Sequence, residues 1–203
     1  MKRLLPGLCA LLFLVSTSAL AAPPERAVHG RRLTSTHDPA ITITLPRSVR
    51  YVGADRWDLY DICDAELHLF VEADAHKRVK AFYWIQFEGY LPSNTHVYDY
   101  SKDEPVTFAG RPFWKRARFG PTNDPQRAGS DSEHVRRLLE RAGYELPPLM
   151  MNVRLVQLLD DARRKELMFI YAEELPAAAN TGEQWPQMQQ GLVKRAMKRI
   201  RIS

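Results

Sequence analysis

The 203-residue chain holds two cysteines, and the first, Cys9, lies in an N-terminal stretch that reads as a leader. Loss of that leader leaves Cys63 alone, so an exported form has no internal disulfide and must be held together by its core. Cys63 is then a buried structural thiol packing as a small hydrophobe, an intermolecular bridge, or a nucleophile in need of a nearby base. Also missing are G-x-S-x-G, S-x-x-K, HExxH and a glycine-rich phosphate loop, which argues against common hydrolases and nucleotide enzymes. Catalytic groups need not be close in sequence, so the exclusion is partial. There is no internal repeat and no low-complexity tract. The apolar run Leu4 to Val15 is broken by Pro6 and Gly7 and falls short of the roughly 20 residues a membrane span requires.

That run has another reading. Lys2 and Arg3 precede it and Ala19-Leu20-Ala21 closes it, the pattern of a secretory signal peptide cleaved after Ala21 or Ala22. No cysteine follows the small residues, so a lipoprotein anchor is unsupported. The sequence therefore predicts a soluble protein, periplasmic or secreted, with no transmembrane segment after signal removal. Residues 1–21 are the signal peptide, 22–39 a flexible lead-in rich in Pro, Gly and Arg, and 40–203 a single domain large enough to bury its own core.

Charge is unevenly spread. Residues 22–54 sum to +3, residues 55–104 to −6 and residues 105–203 to +6. Such asymmetry either steers partners or is neutralised inside the fold.

Strand signals dominate. ITITL (41–45) alternates between two prolines, VRYV (49–52) ends at Gly53, and ELHLFVEA (66–73) with VKAFYWIQFE (79–88) form the clearest hairpin. VTFAG (106–110) and FWKRARF (113–119) are weaker strands, and 153–159 with 166–175 form a second hairpin. Ser130 with Glu133 has the form of a capping box ahead of a helix with Val135, Leu138, Leu139 and Ala142 on one face, ended by Gly143. A last helix covers about 186–200. Short turns between strands require an antiparallel sheet, so the fold class is α+β: about six to eight strands packed with two helices on one face in a single-domain sandwich.

The stretch DRWDLYDICD (55–64) raises the question of a cation site. Neither helical nor strand spacing gathers its four aspartates, and it lacks the alternate spacing and glycine of a calcium loop. Trp57, Leu59, Ile62 and Cys63 are expected to pack inward, with the aspartates solvated or paired with basic residues.

The first hairpin carries the candidate site. Pairing Glu72 with Lys80 sets Phe70 opposite Phe82, His68 opposite Trp84 and Glu66 opposite Gln86, all on one face. Phe70, Phe82 and Trp84 would supply apolar contact to a small ligand, and Glu66, His68 and Gln86 would orient it; the plainer reading is a half-covered, partly wet sheet face. His68 with Glu66 could also serve an exported hydrolase as base and partner, although two such groups do not make a zinc site.

Two basic patches remain: Arg111, Lys115, Arg116 and Arg118, interleaved with aromatics, and Lys194, Arg195, Lys198 and Arg199 on the last helix. With export, nucleic acid is not the expected partner; anionic headgroups or an acidic envelope protein fit better. Cations near a helix C-terminus also meet the helix dipole and need no partner at all. The expectation is a non-catalytic binding or accessory protein, with an unknown small molecule or an envelope protein as partner, and neither cofactor nor metal. The exported hydrolase and a docking protein using the basic patches are the alternatives.

Overall fold

The computed structural model describes residues 22–176, 179 and 181–203. The signal peptide expected at 1–21 lies outside the described residues. Among these, eleven strands and two helices form the α+β sandwich, with both sheets antiparallel.

The large sheet has seven strands. β4 (Arg50–Leu59), β5 (Cys63–Ala73), β6 (Val79–Tyr90), β7 (Glu104–Phe108), β8 (Arg111–Pro121), β9 (Leu149–Leu158) and β10 (Lys165–Glu174) run in the spatial order β4-β5-β6-β10-β9-β8-β7. The aspartate stretch is the second half of β4, the turn after it and the first two residues of β5. Asp55 pairs with His134 on one face, and Asp64 pairs with Arg56 on the other.

The small sheet, order β1-β2-β3-β11, contains β1 (Ala27–His29), β2 (Arg32–Thr36), β3 (Ala40–Thr44) and β11 (Arg201–Ile202). It corrects the expectation that residues 22–39 are a flexible lead-in. The glycine and arginines that suggested a linker make a two-residue hairpin turn, with Gly30 at φ +59°, a conformation glycine adopts without strain. The short alternation in RLTST sends Leu33 into the core, where it is fully buried.

The helices lie on opposite faces of the large sheet, not on one. α1 (Asp131–Arg141) is capped by the Ser130 hydroxyl, which accepts from the Glu133 amide at 3.3 Å. Its apolar stripe Val135, Leu138 and Leu139 packs with Leu67, Leu69, Val71, Trp84, Val156 and Met168. α2 (Trp185–Arg199) places Leu192, Val193, Ala196 and Ile200 on the other face, where they share a core with the small sheet and with Phe70, Tyr83, Ile85 and Phe169. α2 is pinned by two similar units: Arg199 and the Tyr83 hydroxyl both donate to Glu72, and Arg195 and the Tyr171 hydroxyl both donate to Glu173. Two helical faces are apolar and the sheet has two sides to cover, so each helix takes one.

If residues 27–44 are a structural layer, Leu33→Ala should cost about 2–5 kcal/mol in urea unfolding, the usual cost of emptying a well-packed leucine site. A loss within 0.5 kcal/mol would restore the linker reading.

Candidate ligand-binding site

The two strands of the central hairpin pair one residue out of the expected register. Lys80 is accommodated in a bulge between Glu72↔Ala81 and Ala73↔Val79, so Phe70 faces Tyr83, His68 faces Ile85 and Glu66 faces Phe87. Side chains alternate along a strand, so one step exchanges the faces. The six candidate residues are thereby split. Glu66, His68 and Phe70 turn toward the small sheet, whereas Phe82, Trp84 and Gln86 turn toward α1.

The first group is deeply buried. Glu66 is 2% exposed and His68 1%. The Glu66 carboxylate accepts from the backbone amides of Glu25 and Arg26, from the Arg26 guanidinium and, at 2.7 Å, from His68 Nε2. A carboxylate only accepts, so Nε2 carries a proton, and Nδ1 lies 3.4 Å from the Tyr51 hydroxyl. Burial raises the Glu66 carboxyl, but these bonds outweigh it and hold it at about 2. The stability it contributes is complete above the ordinary carboxyl range and is lost as pH falls toward 2. Partial burial, with Glu66 nearby, pushes Tyr51 up to about 12. Glu66 borders a cavity of about 250 Å³ together with Arg26, His37 and Lys165, which His68 does not line.

Of the second group, Phe82 and Trp84 line a cavity of about 500 Å³ on the α1 side, and Gln86 is buried beside it. α1 covers the β4-β5 half of this face and leaves the β6-β10-β9-β8 half open beneath the loop that follows β8. Phe82 and Trp84 of β6, Met168 and Ile170 of β10 and Met150 of β9 form the floor, and Val135 of α1 and Leu146 add apolar wall. Arg116, Arg118, Arg136 and Arg154 stand around it. These four are not equivalent. Arg116 and Arg154 share the buried carboxylate of Asp103. Arg136 donates to the Thr122 and Asp124 carbonyls and so holds the loop. Arg118 is exposed and has no partner among the described residues.

Beside the floor, on the same face of the sheet, runs a chain of polar groups. Trp84 Nε1 donates to the Gln86 side-chain oxygen, and the Gln86 amide donates to Glu88. Glu88 is the cross-strand neighbour of Glu166. Tyr98 donates to Glu88 at 3.1 Å and Tyr100 to Glu166 at 2.5 Å. Burial, then the mutual repulsion of Glu88, Glu166 and Asp131, raises Glu88 well above the carboxyl range. Burial raises Glu166 to about 7. Asp131, the first residue of α1, is also raised by burial and lines the cavity.

The basic patches disperse. Arg116 and Arg118 belong to this cavity. Lys115 pairs with Glu104 and lies near Lys194 beside α2. Arg195 and Arg199 are paired with Glu173 and Glu72, while Arg111, Lys194 and Lys198 have no acidic partner among the described residues. Cys63 is buried, its thiol pushed up to about 11 by burial, and its only hydrogen-bond contact is Tyr98 at 3.7 Å. Among the described residues no hydrogen bond joins it to a histidine or a carboxylate.

No protein family, curated protein or solved structure matches this chain. Among the described residues no group of three His, Cys, Asp or Glu side chains is placed to hold a metal ion, and no helix is long and apolar enough to cross a membrane. Sequence reasoning missed Arg136, Arg154, Asp131 and Glu166. Glu166 did leave a signal, as a single carboxylate heading the otherwise apolar run ELMFIYA; Asp131 was hidden by its ordinary place in an acidic first helical turn.

The folded protein holds a proton on Glu166 to higher pH than the unfolded chain does. Stability should therefore be fully present below the ordinary carboxyl value and fall as pH rises from there through about 7. In thermal melts at pH 5 to 8, Glu88→Gln/Glu166→Gln should flatten that decline and exceed the parent at pH 8; an unchanged slope would disprove the assignment.

Proposed function

We propose that this is an exported, non-catalytic binding protein that holds a small amphipathic anion against Phe82 and Trp84. What supports the reading is one conjunction: an apolar floor under an exposed arginine, Arg118, that no carboxylate neutralises. A volume near 500 Å³ falls within the range of small-molecule sites. An apolar body would rest on Phe82, Trp84, Met168 and Ile170, and a carboxylate or sulfonate head would meet the Arg118 fork, with Asn152 and Arg136 beside it. Asp131 at the α1 end disfavours a second negative charge while ionised, which points to a monoanion. Gln86 lies beside the floor on the same face and fixes the Trp84 ring by accepting from its indole N–H. The hydrolase alternative is weaker, because His68 lines neither this cavity nor the one that Glu66 borders, so the base of the pair has no described space in which to meet a substrate.

The test is a fluorescence titration with 1-anilinonaphthalene-8-sulfonate, followed by displacement. Laurate should displace the probe, and dodecyltrimethylammonium should not. Arg118→Ala should weaken binding about tenfold, the effect of losing about 1.4 kcal/mol, and Trp84→Phe should weaken it with an unchanged far-ultraviolet spectrum. Equal displacement by the cationic and anionic amphiphiles would overturn the proposal.

A further inference from the structure

A second groove, of about 650 Å³, lies between the end of β3 and the last turns of α2. Arg31, Arg47, Arg195, Lys198, Arg199 and Arg201 line it, together with Thr44, Leu45 and Pro46, and no acidic residue does. The six cations come from four separate segments: the β1–β2 turn, the chain after β3, α2 and β11. Three are occupied. Arg195 and Arg199 are bound to Glu173 and Glu72 beneath the helix, and Arg31 donates to the Leu45 carbonyl. Arg47, Lys198 and Arg201 are exposed and have no acidic partner among the described residues.

The helix dipole accounts for Lys198 and Arg199, which sit in the last turn of α2. It does not account for Arg31, Arg47 and Arg201, which lie on the small sheet and its connections. Like charges gathered around one concavity repel and lower stability. We infer that this groove is a binding site for a short chain of phosphate groups. The guanidinium fork suits tetrahedral oxyanions, and cations from separate segments around a concave groove can contact successive groups of one ligand. A flat bilayer would meet a raised basic surface instead. This site is separate from the Trp84 cavity, which has an apolar floor.

The probe is sodium tripolyphosphate, titrated calorimetrically into the purified chain at two salt concentrations. Binding should weaken as salt rises, and orthophosphate should bind at least tenfold more weakly. Arg47→Ala/Lys198→Ala should lose at least tenfold in affinity and, without ligand, melt at the same temperature as the parent or higher. Arg111→Ala/Lys194→Ala removes two cations elsewhere and should bind as the parent does. An equal loss in both double variants would show general charge attraction and overturn the site. So would binding to phosphatidylglycerol vesicles without binding to tripolyphosphate, which would make the groove a membrane contact.

Discussion

The pairing of β5 with β6 is the constraint on which the rest depends. These strands sit inside the seven-stranded sheet, between β4 and β10, so the register set at the Lys80 bulge determines which side chains of the central strands meet the small sheet and which meet α1. Everything near the candidate site inherits that choice. Trp84 becomes a cavity floor because Leu69 lies opposite it, and Glu66 becomes a buried anchor because Phe87 does. The alternative register would turn Lys80 toward the small sheet and α2, and would move Tyr83 and Ile85 out of that core to the α1 side.

Much of the architecture was legible in the sequence. The period-two alternation of residues 66–73 and 79–88 is strong, and the capping residues around Ser130 fix a helix start that the structure reproduces. What stayed hidden was of two kinds. A bulge is a single extra residue, and both registers of this hairpin alternate equally well, so the pattern offered no means of choosing. The strands at residues 27–36 are short, and their polar surface resembles a linker until Ile41 and Ile43 are seen packing with Leu33. The candidate site was half legible for the same reason. Phe82 and Trp84 were named correctly as neighbours on one face, but their arginine companions come from strands far along the chain, where only tertiary pairing brings them near.

The uneven charge along the chain is largely consumed inside the fold. Carboxylates from the acidic stretch, Asp55, Glu72, Asp103 and Glu104, bind His134, Arg199, Arg116 with Arg154, and Lys115 from the basic stretch. These contacts tie sequence-distant segments together, and several are partly exposed, so each is worth little alone. Their value lies in subtraction. Once they are removed from the count, the cations without an acidic partner among the described residues include Arg118 over an apolar floor and Arg47, Lys198 and Arg201 around a groove that no acidic residue lines.

The small sheet joins the two ends of the described chain. Thr42 exchanges both backbone hydrogen bonds with Ser203, and Arg201 pairs with Thr44 across more than 150 positions of sequence. A polypeptide emerging from a ribosome or a translocation pore with its N-terminus first could build the central hairpin early, yet could not close this sheet until residue 202 had appeared. Until then the edge of β3 and the apolar underside of the layer would remain open. Such a chain stays unfinished, and available to chaperones, for nearly the whole of its delivery, and its completion is a single late event of high contact order.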